Sequence, residues 1–215
     1  MKIKALALVF ACAVGVSFGL LGIPTASAIT WNFNLPAGPD GTSESFNSTP
    51  PSGFLLTAAG FSSAAQLATG VPNVNLFGKN LGGDENGLGL VNDPSGDNEI
   101  SGTSLIRIAM AAGLTAPVTF QMNSVTAGSE AWAVFGLNSA TGPLGAPIAT
   151  GSDELSHSVG FFPFYAFEAT AGNVLLAQIT AVPGPIVGAG LPGLIAACGG
   201  LLALVARRRH RQRTA

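Results

Sequence analysis

Apolar and polar residues alternate along much of the middle of the chain. In the segment PVTFQMNSVT, the apolar residues Val118, Phe120 and Met122 alternate with polar residues, which is the two-residue period of a strand with one buried face. Other segments are short and apolar and predict further strands: TWNFNL, SGFLLTAAGF, SLIRIAM, AWAVFGLN, FYAFEATA and NVLLAQITAV. Only the short segment SSAAQLAT is typical of a helix. The pattern therefore predicts an all-β domain.

Turn-forming residues separate these predicted strands. Clusters of Gly, Pro, Asn, Asp and Ser, such as NDPSGDNE and SATGPLGAP, favour tight turns and loops. Short strands joined at this spacing are typical of two sheets packed face to face. We therefore expect residues 29–181 to form a jelly-roll-like β-sandwich, which we call the ectodomain.

The N-terminal segment, residues 1–28, differs from the strands. Lys2 and Lys4 precede a long apolar run without charge, and the run ends in small residues. Ala26 and Ala28 occupy the two positions at which a signal peptidase requires small side chains. This arrangement predicts a secretory signal peptide that is cleaved after Ala28, so the ectodomain is expected to be exported.

The C-terminal segment contains a second apolar stretch, residues 186–206, which carries no charge. A helix of this stretch, at about 1.5 Å per residue, spans the roughly 30 Å hydrocarbon core of a bilayer. The basic tail, residues 207–215, begins with Arg207, Arg208 and Arg209 and is expected to stay in the cytoplasm. The pattern predicts a single transmembrane helix in the inner membrane, with the ectodomain in the periplasm.

This segment also has more glycine and proline than a membrane-spanning helix requires. The motif at 182–185 and the residues after it follow the pattern VPxPxxGxGLPGL, with matches at Val182, Pro183, Pro185, Gly188, Gly190, Leu191, Pro192, Gly193 and Leu194. Together with the predicted helix and the basic cluster, these residues make the segment 182–215 resemble a PEP-CTERM sorting signal, in which Gly184 replaces the glutamate of Pro-Glu-Pro. The resemblance implies processing by an exosortase, delivery to the outer surface or the extracellular space, and a link to exopolysaccharide production in Gram-negative bacteria.

The charge of the ectodomain is strongly negative. All 11 acidic residues of the chain lie in it and only Lys79 and Arg107 oppose them, so its net charge is −9, whereas the whole chain carries −2. Nucleic-acid binding depends on Lys and Arg, so this composition argues against nucleic acid as a partner. The two cysteines, Cys12 and Cys198, lie outside the ectodomain, which therefore has no disulfide framework.

Acidic and amide side chains are concentrated in the loop GGDENGLGLVNDPSGDNE. Ca²⁺ binds several carboxylate and carbonyl oxygens at once, and a turn-rich loop of this composition can supply them. The loop does not follow the EF-hand order. Two interpretations remain open: a solvated acidic loop, or a Ca²⁺ site with Asp93, Asp97 and Glu99 as the preferred ligands.

Two other groups of residues suggest chemistry. Trp31 and Trp132 have small or polar neighbours and are candidates for an exposed platform on which sugar rings stack, whereas the segment FFPFYAF is expected to fill the core. His157 lies among serines and acidic residues, but no nucleophile motif accompanies it. We therefore expect a solvated loop histidine and no enzyme.

The sequence thus predicts an exported, non-enzymatic protein of the cell surface or extracellular matrix, linked to exopolysaccharide or biofilm. Its expected partners are the signal peptidase, an exosortase, the inner membrane and exopolysaccharide. The alternatives are a carbohydrate-binding module of the envelope and a single-pass membrane-anchored protein.

Overall fold

A computed structural model describes residues 27–33, 36–49, 53–91 and 96–184. Nearly all regular structure in this part is β-strand, in two antiparallel sheets, which confirms the all-β prediction. In the same ranges, no helix is long and apolar enough to cross a membrane. The predicted transmembrane helix, residues 186–206, lies outside the described residues, as does nearly all of the predicted signal peptide.

The described elements are short and numerous. In chain order they are β1 (Ile29–Asn32), β2 (Gly38–Pro39), β3 (Ser43–Asn47), β4 (Leu55–Phe61), α1 (Ala64–Thr69), β5 (Leu76–Asn80), β6 (Asn86–Leu90), β7 (Ile100–Ser101), β8 (Leu105–Ala109), β9 (Leu114–Asn123), β10 (Ala131–Leu137), β11 (Ala149–Gly151), β12 (Ser156–Val159), β13 (Phe164–Ala171) and β14 (Asn173–Pro183). Seven strands fall in the predicted apolar segments, and α1 falls in SSAAQLAT as predicted: β1, β4, β8, β9, β10, β13 and β14. The other described strands were not predicted, and β6 lies in the segment predicted as an acidic loop.

The two sheets differ in how their strands are joined. The first sheet has the order β12-β9-β14-β6-β5-β2, and β1 and β7 also pair with the long strand β14. The second sheet has the order β11-β10-β13-β8-β4-β3. From β7 to β14 the chain changes sheet repeatedly: β9, β12 and β14 belong to the first sheet, whereas β8, β10, β11 and β13 belong to the second. The two sheets are therefore built from interleaved segments of the chain.

The sheets share one apolar core. Phe120 of β9 contacts Trp132 of β10 and Phe167 of β13 in edge-to-face geometry, with ring centroids 5.3 and 5.5 Å apart. All three side chains are almost completely buried. Burying a large apolar side chain stabilises the fold by about 1.5–3 kcal/mol, so these contacts hold the two sheets together.

The second sheet is buried on its opposite face as well. Phe61, Leu105, Phe135 and Ala166 form a second apolar cluster there, and Leu67 of α1 packs in it. Helix α1 begins after Ser63, whose Oγ accepts a hydrogen bond of 3.2 Å from the Gln66 N–H. This second cluster explains why several segments are apolar without alternation.

Candidate functional site

The structure places the two tryptophans in the core. Trp31 and Trp132 are both 0% exposed, so the prediction of an exposed carbohydrate-binding platform is wrong. The Trp132 indole N–H donates a hydrogen bond of 3.0 Å to the Asp153 carbonyl. A Cβ on Gly151 would lie 2.3 Å from the Trp132 ring, so this small residue makes room for a buried ring. Small neighbours indicated close packing here rather than exposure.

His157 lies on strand β12, and the prediction of a solvated loop position is therefore wrong. Its ring centroid is 4.7 Å from that of Trp132 and 5.9 Å from that of Phe120. Its Nε2 is 2.7 Å from Asp153 Oδ1. This contact lowers the pKa of the Asp153 carboxyl. The imidazole therefore packs at the edge of the core, held by one carboxylate.

The predicted calcium ligands are only partly described. Asp93 lies outside the described residues, Asp97 is exposed and Glu99 is 1% exposed. Asn173 Nδ2 is 3.1 Å from Asp97 Oδ2 and 3.1 Å from Glu99 Oε2, so the amide connects these two carboxylates. Across residues 27–33, 36–49, 53–91 and 96–184, no group of three His, Cys, Asp or Glu side chains is placed to hold a metal ion. Calcium binding stays a prediction.

Glu99 instead contacts a cation of the protein itself. The Lys79 ammonium forms ion pairs with Glu99 Oε1 and with Glu85 Oε2, the latter at 2.5 Å. Lys79 and Glu99 are buried, whereas 41% of the Glu85 side chain is exposed. The Lys79 ammonium therefore lies between the buried carboxyl group of Glu99 and the partly exposed carboxyl group of Glu85.

A serine and an asparagine complete this group, which we call the Lys79 cluster: Lys79, Glu85, Glu99, Ser124 and Asn173. Ser124 Oγ lies 3.1 Å from Glu85 Oε1 and 3.1 Å from Glu99 Oε1, so it connects the two carboxyl groups. Ser124 has a φ of 55°, which is uncommon for a residue other than glycine. Its backbone N–H donates a hydrogen bond of 3.1 Å to the Asp84 carbonyl, which holds Ser124 beside the turn that carries Glu85.

Local sequence explains how these residues meet. Lys79 lies in β5, Glu85 in the turn before β6, and Glu99 directly before β7. The chain at Glu99 can approach β6 because residue 89 is glycine. A Cβ there would lie 2.1 Å from the Asn98 carbonyl oxygen and 2.8 Å from Glu99 Cα. The glycine at position 89 of β6 therefore allows the backbone at Asn98 and Glu99 to lie directly against this strand.

Burial and ion pairing shift the three charged groups in different directions. Burial raises the pKa of the Glu99 carboxyl, although Lys79 opposes this effect. The hydrogen bond from Lys79 lowers the pKa of the Glu85 carboxyl. Burial by itself lowers the pKa of Lys79, but the hydrogen bonds to Glu85 and Glu99 outweigh it and raise that pKa. The cluster thus joins an ammonium, a buried carboxyl group and a second carboxylate that is partly exposed to solvent.

Sequence reasoning missed the role of Lys79, Glu85 and Ser124. Lys79 contributes a charge to the composition, yet it is also the single lysine of an acidic domain and lies within a short apolar segment, NLFGKNL. A lysine inside a strand with so many carboxylates in the same domain is a signal for a buried ion pair. Ser124 had no signal, since its role depends on its backbone conformation.

The residues at the two predicted processing sites lie at the ends of the described fold. Ala28 is exposed directly before β1, whereas Ala26 lies outside the described residues. Val182 and Pro183 end β14, and the Gly184 N–H donates a hydrogen bond of 2.7 Å to the Gly113 carbonyl. The remaining predicted sorting residues lie outside the described residues: Pro185, Gly188, Gly190, Leu191, Pro192, Gly193, Leu194, Arg207, Arg208 and Arg209.

Comparison with known proteins assigns this chain to no family. No protein-family model matches it, no curated protein matches it, and no solved structure matches it at a significant level.

Proposed function

We propose that the protein is an exported, non-enzymatic protein of the cell surface or extracellular matrix, linked to exopolysaccharide or biofilm. The observation that carries this proposal is the C-terminal segment VPGPIVGAGLPGL, followed by an apolar stretch and an arginine cluster, behind an N-terminal signal peptide. A signal peptidase would remove residues 1–28, and an exosortase in the inner membrane would process the segment 182–215.

The bounds of the fold support this proposal. Strand β1 begins one residue after the predicted signal cleavage at Ala28, and strand β14 ends at Pro183, inside the predicted sorting motif. The folded domain therefore occupies the interval between the two predicted signals. Two antiparallel sheets that share an apolar core also support a β-sandwich, and its jelly-roll-like form is part of the proposal.

The candidate side chains also favour a non-enzymatic role. The charged members of the Lys79 cluster contact one another, and the His157 ring packs against Phe120 and Trp132. A carbohydrate-binding role depended on exposed rings at Trp31 and Trp132, and their burial removes the observation that favoured it.

The test is the C-terminus of the mature protein in its native host, measured by mass spectrometry of inner-membrane, outer-membrane and secreted fractions. We expect a chain that ends near Pro183 to Pro185, outside the inner membrane. A chain that still ends at Ala215 in the inner membrane would contradict the sorting proposal and leave an ordinary single-pass anchor.

A motif variant sharpens this test. Replacing Pro183 and Pro185 by alanine is expected to leave the C-terminal segment attached. The matched control replaces Pro143 and Pro147, which lie in an exposed turn of the second sheet, and is expected to be processed like the natural chain. Equal processing of the two variants would show that the motif is not read.

A further inference from the structure

The Lys79 cluster places an amino group against a buried carboxyl group. These are the two groups that condense to an amide with loss of water. Lys79 Nζ contacts Glu99 Oε1. The nitrogen therefore lies close to Glu99 Cδ, the carboxyl carbon to which Oε1 is bonded. Glu99 is 1% exposed, so bulk water is kept from this carbon. A buried ion pair is costly to desolvate, and a neutral amide in its place removes that cost.

We propose that Lys79 and Glu99 become joined by an amide between Nζ and Cδ, an intramolecular isopeptide bond that links strand β5 to the start of β7. The linked residues are 20 positions apart in the chain. The bond would close this loop covalently in a domain that has no cysteine. This inference goes beyond the proposed function and does not depend on it.

Each neighbour of the pair has a place in the reaction. Glu85 Oε2, 2.5 Å from Nζ, accepts a proton from the ammonium and leaves a nucleophilic amine. Asn173 Nδ2, 3.1 Å from Glu99 Oε2, donates a hydrogen bond to the oxygen that gains negative charge when the amine attacks. Ser124 Oγ lies between Glu85 Oε1 and Glu99 Oε1, at 3.1 Å from each, and can relay the proton to the leaving oxygen.

The atoms and charges balance without another reactant. The Nζ–Cδ bond forms and the Cδ–Oε1 bond breaks, with its electron pair leaving on Oε1. Of the three ammonium protons, one stays as the amide hydrogen and two leave with Oε1 as water. Glu85 takes up and returns protons and ends unchanged, and the ion pair of unit charges becomes one neutral amide. Burial, which raises the pKa of Glu99, favours the protonated carboxyl group that loses water.

Trypsin provides a direct test, because it does not cleave after a lysine whose amine is acylated. Between Lys4 and Arg207, the only tryptic sites are Lys79 and Arg107. The full chain is purified, unfolded in denaturant, digested and measured by mass spectrometry. We expect no cleavage after Lys79 and a fragment ending at Arg107 that is lighter than its sequence by one water molecule. Fragmentation is expected to place the link at Lys79 and Glu99.

Two results would overturn the proposal. Complete cleavage after Lys79 with unmodified fragment masses would show that the residues form only an ion pair. A link from Lys79 to Glu85 would show that Glu99 is not the acceptor. Both results come from the natural chain, so neither depends on how a variant folds.

Two matched variants test the assigned role of Glu85. Glu85→Gln keeps the side-chain size but removes the proton acceptor, so we expect link formation to be slower by about 100-fold or more. Glu44→Gln changes a glutamate on β3 of the second sheet, outside the cluster, and is expected to give the fully linked chain. Equal rates in the two variants would contradict the role of Glu85.

Discussion

Lys79 and Arg107, the two basic residues of the ectodomain, lie in different sheets and are accommodated by different means. Lys79, on β5 of the first sheet, pairs with the carboxylates of Glu85 and Glu99. Arg107, on β8 of the second sheet, lies over the Phe61 ring at 4.9 Å from its centroid and donates a hydrogen bond of 2.6 Å from Nη1 to the Ala140 carbonyl. The charge of Lys79 is neutralised by carboxylates, whereas the guanidinium of Arg107 is covered by an aromatic ring and a backbone carbonyl.

The chemistry of the two side chains explains this difference. A guanidinium is planar and weakly hydrated, so aromatic faces and a carbonyl can replace much of its water. An ammonium is a compact, strongly hydrated charge, and its burial requires carboxylates. Burial lowers the pKa of Arg107, whereas the pKa of Lys79 is raised because its ion pairs outweigh burial. Of these two sites, only the lysine site therefore places its cation against carboxyl groups, which is the arrangement that the proposed amide requires.

The largest effect is expected from Lys79→Met. This change removes the ammonium and leaves Glu99 buried without its cation, which costs about 3–5 kcal/mol of unfolding free energy. Urea unfolding of the purified protein near neutral pH measures it. The double variant Lys79→Met with Glu99→Leu removes both charges and is expected to recover the part of the loss that comes from the unpaired Glu99 carboxylate. A loss below about 1 kcal/mol in the single variant would mean that Glu99 is already solvated or neutral.

A smaller effect is expected from Arg107→Met. The change removes the contact with the Phe61 ring and the hydrogen bond to Ala140, but it leaves no unpaired carboxylate. We therefore expect a loss of about 1–2 kcal/mol by the same measurement. If Arg107→Met were as damaging as Lys79→Met, the distinction between a neutralised and a covered cation would fail.

A smaller effect again is expected from Ser124→Ala. It removes the hydroxyl that connects Glu85 and Glu99 but keeps Lys79 beside both residues, so the expected loss from these hydrogen bonds is about 1 kcal/mol. The control is Ser158→Ala, because the exposed Ser158 hydroxyl, 2.9 Å from Thr119 Oγ1, is outside the cluster. A result for Ser124 no larger than that of the control would show that the hydroxyl contributes nothing to the cluster.

The smallest expected difference is in alkaline stability, which separates the amide from the ion pair. An ion-paired Lys79 has a pKa above its ordinary 10.5, so its stabilisation is complete below pH 10.5 and is lost as the pH rises through the folded value. In the linked chain neither Lys79 nor Glu99 titrates. In Glu85→Gln, which forms the link slowly, the contact with Glu99 still raises the Lys79 pKa, although the contribution of Glu85 is gone. We therefore expect a reduced loss of this kind in the variant and none in the natural chain.

Tyr165 also titrates in the alkaline range and affects the stability of both proteins equally. Burial raises its pKa from 10.0 to about 12, so its contribution is complete below pH 10 and decreases toward pH 12 in both proteins. The difference between the unfolding midpoints of the two proteins from pH 9 to 11 is therefore the relevant quantity. Identical curves would mean that both chains are in the same state, either linked or ion-paired.

Local patterns determined which elements this protein forms. The alternation around Val118, Phe120 and Met122 is visible in the sequence because a strand exposes its two faces in turn, and these three side chains are buried as predicted. Helix α1 was predictable for the same reason, since its cap and its short apolar face are local. The predicted signals at the two ends also depend on local composition, and they stay predictions.

Tertiary structure decided which side chains face each other. Alternation shows that a strand has a buried face, but it does not show that Trp31 and Trp132 belong to it, because that depends on the register and on the facing sheet. The pairing of Lys79 with Glu99 joins residues 20 positions apart. It requires the chain to cross β6 at Gly89, where a side chain would collide with Asn98. Sequence alone identified Glu99 as a residue that attracts a cation, and only the packing of β5, β6 and β7 supplied that cation as Lys79.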